Sequence, residues 1–337
     1  MSDLVNSIRR FGQFGGWRLI LQYAKIGVLW KGCRALLHCV LYGRALKEAY
    51  PIIIHDVEHY LVARYRNVLD DAVTRLKSDY NVSIFNNSLE KQASVGIPKI
   101  IWFSWLQGID KSPEIVRICL RSQIKHLPDY EFRMVDLSNY RKWVQLPSYV
   151  EEKYRKKLIP DALFSDLLRL SLLEKYGGVW MDASVFCSGF RNDRLKAQWR
   201  QIMDSELTLF RYFERGTMKQ VGLSNWFIAA RKQQPVVSVV LKLLLSYWKD
   251  FECTLDYYIA HLFLNVALRE FPEVLSNMPH VNSRHSLLLG QALGSDYNEA
   301  KWIDLTEHVS IHKLNYRKVK DAMRNKSSYC THLMNKS

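Results

Sequence analysis

The sequence of 337 residues has no CxxC pair among its six cysteines, no Gly/Ser linker, no Pro-rich run, no low-complexity tract and no fixed repeat period. These absences exclude a zinc ribbon or dithiol redox motif, loosely tethered modules, and a solenoid or propeller. Cys33, Cys39, Cys119, Cys187, Cys253 and Cys330 are scattered, mostly among apolar neighbours, and read as buried free thiols suited to a reducing, cytoplasmic compartment. No apolar stretch approaches the about 18–20 uninterrupted residues of a spanning helix. Arg9, Arg10, Arg18, Lys25, Lys31 and Arg34 break every early apolar run, and no small-residue cleavage site follows, so no secretory signal is expected. Acidic residues are the scarce charge, 33 against 48 basic, for a net +15. Such a surface attracts polyanions: nucleic acid, anionic lipid or phosphorylated substrates. No zinc knuckle, RNP-type motif or basic helix with base-reading spacing is present, and no nucleic-acid partner is expected.

What is present suffices for a sizeable core: 48% of residues are hydrophobic and 12% aromatic. The length fits one large α/β domain with appendages or two modest domains. The first fifty residues carry eight basic side chains, the six above with Arg44 and Lys47, against Asp3 and Glu48. Phe11, Phe14, Trp17, Leu19, Ile20, Leu21, Tyr23, Val28, Leu29 and Trp30 lie between them. This pattern suits an amphipathic helical region lying on an anionic leaflet, and equally a helix packed on the domain.

Residues 1–80 read as a helical, basic N-terminal region, and residues 81–96 as a polar connection. The β-branched and aromatic run Ile97–Trp105 reads as a buried strand with Pro98 at its start. Ser112-Pro-Glu114 opens a helix that runs to about His126, and Tyr130–Asp136 alternates as a second strand. Strand, helix, strand is the βαβ signature of a parallel sheet. Helices follow near 147–158 and 161–176, then a strand over Val179–Met181. Further strands are expected at Leu207–Tyr212 and Asn225–Ala230, and helices at Pro235–Phe251 and Leu255–Phe271. Residues 316–337 read as a basic tail holding Arg317, Lys318, Lys320, Arg324, Lys326 and Lys336.

The helix from Asp161 is the most informative segment. Leu163, Phe164, Leu167, Leu168, Leu170, Leu172 and Leu173 make it apolar on almost every side, as in a buried helix. Asp166 and Arg169 nevertheless lie one turn apart within it. A buried charge costs several kcal/mol unless it is paired or serves a ligand. Two readings stand: an internal ion pair that staples the helix, or half of a binding site. Gly177-Gly178 ends the helix, and a short strand delivers Asp182 to its C-terminal end, where ligands of α/β sheets bind. Two acids and an arginine then face one crevice. A carboxylate ligates a hard cation such as Mg2+ or Mn2+, and arginine offers a donor fork to phosphate or sugar hydroxyls. A nucleotide diphosphate, dense in negative charge, is the ligand this set suits.

Ser165-Asp-Leu-Leu-Arg169 followed by Tyr176-Gly-Gly-Val-Trp-Met-Asp182 resembles the core of glycosyltransferases with the DXD sugar-binding motif. More closely, the chain resembles the bacterial capsular polysaccharide synthesis glycosyltransferases, relatives of the large-clostridial-toxin catalytic domains. Ile97-Pro-Lys-Ile-Ile-Trp102, Pro113-Glu-Ile-Val116, Asn225-Trp-Phe-Ile228, Asp256-Tyr-Tyr258 with His261, and His312-Lys-Leu314 resemble that family too. The resemblance covers roughly residues 95–315. It implies an α/β GT-A fold, a Rossmann-like mixed sheet flanked by helices, with the helical N-terminal extension added. It implies that Asp166 and Arg169 hold the donor sugar and phosphate, that Asp182 is the first acid of the motif, and that Trp102 stacks near the base. Ser184, Asn225 and Trp226 would border the donor, with Asp256 and His261 near the acceptor. The third motif position is Ser184 rather than an acid, so either Asp182 carries the metal with water and another side chain, or metal dependence is weakened. His312 would complete the shell with Asp182, or is a solvated loop histidine.

The expectation is therefore an enzyme moving a hexose or amino sugar from a nucleotide sugar, a UDP-sugar favoured, with Mn2+ or Mg2+. The acceptor would be a glycan or lipid-linked glycan, at the inner face of a bacterial plasma membrane in contact with anionic lipid. The related retaining enzymes imply retention of anomeric configuration, and because no nucleophile stands at proper spacing the expected route is front-face attack assisted by the leaving phosphate. The rival readings are a non-catalytic sugar-binding partner of a polysaccharide synthesis complex, motivated by Ser184, and a basic module in which Asp166–Arg169 is a core ion pair.

Overall fold

The computed structural model describes residues 12–42, 50–90, 96–211, 222–281 and 283–335. Arg9, Arg10, Phe11, Arg44, Lys47, Lys336 and the expected strand end at Tyr212 lie outside them.

In chain order the elements are α1 Trp17–Lys25, α2 Val28–Leu41, α3 Tyr50–Arg64, α4 Arg66–Glu90, β1 Ile100–Ser104, α5 Glu114–His126, β2 Glu131–Val135, α6 Ser148–Arg155 and α7 Asp161–Tyr176. They continue with β3 Gly178–Asp182, β4 Val185–Cys187, α8 Asp193–Asp204, β5 Leu207–Arg211, β6 Leu223–Ala230, α9 Pro235–Asp250, α10 Ile259–Glu270 and, past further short helices, β7 Ile311–Lys313. The five-stranded sheet has the order β2-β1-β3-β6-β5. Strands β2, β1 and β3 are parallel, and β6 and β5 continue the sheet antiparallel. A separate two-stranded ribbon pairs β4 with β7. The molecule is thus a mixed α/β fold with helices flanking one mixed sheet, the architecture that the family resemblance implies; the βαβ pattern by itself predicts the parallel half.

Side-chain alternation along the strands divides the core. Trp102 and Trp180 enter the cluster under α7, α9 and α10. Ile101, Val179 and Met181 enter the opposite cluster with Phe210, Phe227 and Trp199. Two glycines make the junction of α7 and β3. Gly177 closes the helix at φ 68°, and Gly178 follows at φ 103°. A Cβ on Gly177 would stand 2.6 Å from the Lys232 nitrogen, and one on Gly178 2.7 Å from the Ile100 carbonyl oxygen. Both the left-handed backbone and the close approach of neighbouring strands therefore require glycine here.

Residues 81–90, read as a polar connection, continue α4 as helix. The stretch from Arg66 to Glu90 contains no glycine or proline, so nothing in it stops helix propagation. The N-terminal helices share the main core: Leu19, Val28, Val57, Leu61 and Leu69 cluster with the leucines of α7. Tyr23 Oη donates to the Leu255 carbonyl, and Arg64 pairs with Asp250 at 2.8 Å. The segment beyond residue 316 folds back as well, seating Tyr329, Cys330 and Leu333 against Ile115 and Trp302.

Candidate functional site

Helix α7 is buried on nearly all sides, and two of its charged residues are buried with it, Asp166 and Arg169, each 6% exposed. Arg169 is the hub. One terminal nitrogen, Nη2, lies 3.3 Å from Asp166 Oδ1 and 3.2 Å from Asp182 Oδ1. The other, Nη1, donates to the Asn225 carbonyl oxygen. The guanidinium also lies over the Trp180 ring, 5.0 Å from its centroid. Asp166 accepts in addition from the Asn225 side-chain amide at 3.0 Å. Helix α7 and strand β6 are thereby tied across the C-terminal end of β3. Both sequence readings of the Asp166–Arg169 pair contain part of this arrangement: the two do form an ion pair, and the arginine also reaches out to Asp182.

Asp182 ends β3 with its side chain 25% exposed. Its Oδ1 also accepts from Trp180 Nε1 at 3.0 Å, and its Oδ2 is held by Lys313 Nζ at 2.8 Å. Lys313 Nζ donates to Ser184 Oγ as well, at 2.8 Å. The β4–β7 ribbon accounts for this contact: Val185 pairs with Lys313, and the Leu314 amide donates to the Ser184 carbonyl at 2.8 Å. Helix 283–292 supports β7 from behind through Gly290, where a Cβ would stand 2.4 Å from the Lys313 carbonyl oxygen.

The electrostatics follow from burial and charge. Burial pushes the Asp166 carboxyl from 3.8 up to about 6; the Arg169 charge opposes the shift and the Asp182 charge adds to it. Burial pushes Asp182 upward too, but Lys313 and Arg169 outweigh it and hold the group below its ordinary value, as a carboxylate. His261, in α10 and 7% exposed, is driven down to about 3, by burial first and then by the Arg169 charge, with Asp182 partly offsetting. It is a neutral imidazole close to the hub. Arg169 Nε and His261 Nδ1 are buried without a partner among the described residues.

The other expected site residues fall differently. Trp102 is not available to a nucleotide base. It is 0% exposed, its Nε1 donates to the Gly177 carbonyl at 2.9 Å, and Trp143, Tyr176 and Arg133 enclose its ring. Trp226 turns into the far cluster, 4.6 Å from Phe210 between ring centroids, away from Asp166 and its partner Asn225. Asp256 accepts from the Tyr258 amide at 2.6 Å and so shapes the turn before α10. His312 is neither solvated nor turned toward Asp182. It is fully buried, its Nε2 lies 3.0 Å from Ser188 Oγ, and burial pushes its pKa down to about 3. Neighbours on a strand face opposite sides, so the residue of that tripeptide that meets Asp182 is Lys313.

Lys313 is the residue that sequence reasoning missed, although it sits in the quoted His312-Lys-Leu314. Tyr257, 42% exposed, was missed as well: its hydroxyl is raised by burial and then by the charges of Asp166 and Asp182, while Arg317 lowers it. Tyr257 is therefore within reach of the two carboxylates' charge, and Arg317 within reach of Tyr257.

These residues fit a divalent cation poorly. Ser184 offers a neutral hydroxyl where a second carboxylate would stand, and His312 points elsewhere. Both Asp182 oxygens are already engaged, by Arg169 and Trp180 on one side and by Lys313 on the other. Among the described residues no group of three or more His, Cys, Asp or Glu gathers as a metal site. A dication on Asp182 would have to displace one ammonium and lie beside a guanidinium.

Comparison with known proteins adds identity to this geometry. A curated relative, Glycosyltransferase afumC of Aspergillus fumigatus, is 29% identical over 176 residues, 46% of this chain and 40% of that protein. O-glycosyltransferase braB of Annulohypoxylon truncatum is 25% identical over 175 residues, 48% and 40%. The chain thus spans 40% of the length of either relative. Among solved structures, PaToxG Glycosyltransferase superposes with a TM-score of 0.36 and 18% identity, covering 72% of this chain and 95% of that one, too loosely to argue from. The model of the family described as capsular polysaccharide synthesis protein matches residues 57–333, which takes in every strand of the described residues and the whole Asp166–Arg169–Asp182–Lys313 cluster. The chain belongs to the capsular polysaccharide synthesis protein family.

Proposed function

We propose that this chain is a glycosyltransferase of the GT-A kind, moving a hexose or amino sugar from a nucleoside-diphosphate sugar, with a UDP-sugar favoured, to a glycan or lipid-linked glycan. The observation that carries the reading is the Arg169 hub. A buried guanidinium fixes two carboxylates of different acidity at the C-terminal end of a parallel strand, where α/β sheets bind their ligands. The names of the two curated relatives, both glycosyltransferases, and the family membership support it. Asp182, held ionised and partly open, accepts from donor sugar hydroxyls. Arg169 keeps it in place, and Asp166 and Asn225 keep Arg169 in place.

In the reaction the bond between the anomeric carbon and the diphosphate oxygen breaks, and its electron pair leaves with the phosphate. The acceptor hydroxyl oxygen bonds the anomeric carbon on the same face and passes its proton to the departing phosphate, giving retention. The exposed basic and aromatic helices α1 and α2 would hold the enzyme at the inner leaflet of a bacterial plasma membrane, near lipid-phosphate acceptors. The reading is tested by thermal shift with UDP, GDP, CMP and their sugars, followed by NMR of the linkage formed. One nucleotide should raise Tm, and Asp182→Asn should abolish turnover while the protein stays folded. An inverted product would refute the retaining step. Nucleotide binding without turnover on any acceptor would instead favour the sugar-binding partner that Ser184 suggests.

A further inference from the structure

Resting on the glycosyltransferase reading, we propose that Lys313 supplies from within the chain the positive charge that a divalent cation would otherwise bring to the donor diphosphate, so that donor binding and transfer need no metal.

Three observations carry this. Lys313 Nζ stands 2.8 Å from both Asp182 Oδ2 and Ser184 Oγ, so it bridges the first and third positions of the motif, the place between two acids where a cation would sit. An ammonium has three N–H donors; Asp182 and Ser184 take two, and no other described residue takes the third, which is left for a phosphate oxygen. The side chain is 23% exposed, open enough for a ligand to reach yet shielded enough for its charge to act at short range. The replacement of an acid by Ser184 then has a physical reason. With Lys313 present, one carboxylate balances the ammonium and a neutral hydroxyl holds its direction. A second carboxylate would cancel the charge the diphosphate needs.

The position is built, not incidental. Lys313 belongs to a strand paired with β4, and the backbone of helix 283–292 packs against its carbonyl at Gly290. Arg317, four residues on, adds a second cation toward Tyr257 at the rim. When the anomeric carbon–oxygen bond breaks and the electron pair moves to the phosphate, Lys313 keeps its proton and donates a hydrogen bond to the developing oxyanion. That contact strengthens as the charge grows.

The test uses the full chain, stripped with EDTA, and reads the Tm shift and Kd for UDP and GDP in EDTA and in Mn2+. Wild type, Lys313→Gln and Lys313→Arg are compared. The wild-type shift should be the same in both media. Lys313→Gln should weaken Kd roughly ten- to hundredfold in EDTA, and Lys313→Arg should restore most of the loss. The unliganded Tm of each variant reports folding separately. A wild-type shift that vanishes in EDTA and returns with Mn2+ would overturn the inference and leave the glycosyltransferase reading standing, as would a Lys313→Gln chain that binds as wild type does. No shift with any nucleotide in either medium would remove both.

Discussion

The side-chain amide of Asn225 donates to Asp166 Oδ1 at 3.0 Å, from a strand 59 residues further along the chain. The same residue's carbonyl accepts from Arg169. One asparagine therefore orients both members of a buried ion pair. Asn225→Leu should leave Asp166 short of a donor and cost about 1–3 kcal/mol. Denaturant titration measures the stability, and donor Kd per folded molecule should also weaken. A variant with unchanged Kd would show that the pair staples the helix and nothing more.

Asp166 also predicts a pH dependence. Its folded pKa, about 6, lies above the ordinary 3.8, so between those values the native state binds the extra proton. Its contribution to stability is largest below about 3.8 and is lost as pH rises toward 6. Asp166→Asn keeps an oxygen for Asn225 but cannot ionise. The Tm difference between Asp166→Asn and wild type should therefore shift in favour of the variant between pH 4 and pH 6. A flat difference would place the Asp166 pKa at its ordinary value.

The buried imidazoles act in the opposite direction. His261 and His312 are both held neutral, near 3 against an ordinary 6.5. The unfolded chain takes up protons that these sites refuse, so stability is full above 6.5 and falls as pH drops below it. His312→Gln, which can still meet Ser188, should flatten the acid limb. Neither histidine should titrate in NMR between pH 5 and 8, and a signal moving in that window from either one would refute the assignment.

Trp102 separates packing from binding. Trp102→Ala should cost about 3–5 kcal/mol, the usual penalty for emptying an aromatic core site. At a temperature where the variant remains folded, its nucleotide Kd should match wild type. A selective loss of affinity would restore the base-stacking role that its burial argues against.

Trp17 and Trp30 are 76% and 75% exposed, with Leu21, Leu37 and Leu41 also open and Arg18, Lys25, Lys31 and Arg34 around them. Among the described residues no helix is long and apolar enough to cross a membrane. The paired substitutions Trp17→Ser and Trp30→Ser should release the protein from anionic vesicles in a sedimentation assay and leave Tm near wild type. Deleting the whole region is the poorer test, because Leu19 and Val28 belong to the core. Equal sedimentation of wild type and variant would refute membrane contact through this face.

The parallel half of the sheet was legible because local chemistry dictates it. Gly177-Gly178 must follow α7, and the runs that became β1 and β3 are too apolar to lie anywhere but inside. Asp166 and Arg169 were legible as charges within an otherwise apolar helix, and Asp182 because a short apolar strand delivers it to its C-terminal end. Trp102 and Trp226 were misplaced because a tryptophan's chemistry suits stacking on a base and packing in a core alike, and sequence carries no measure of which face is open. Lys313 was hidden for a different cause. Strands β4 and β7 have three residues each, too few for alternation to show which side chain faces in. The pairing that brings Lys313 to Asp182 is purely tertiary, so His312 drew attention and its neighbour did not.

Asp182 and Lys313 stand 131 residues apart in the chain. A ribosome releases the carboxylate end of this contact long before the ammonium end, and the intervening segment includes strands β5 and β6 and helices α9 and α10. The five-stranded sheet can close while the crevice still lacks its second cation. Under the proposed role of Lys313, the nascent polypeptide gains its full grip on a diphosphate only once β7 has been made, after every strand of the main sheet. A translation product that stops short of β7 would then hold a sugar nucleotide more weakly than one that includes it.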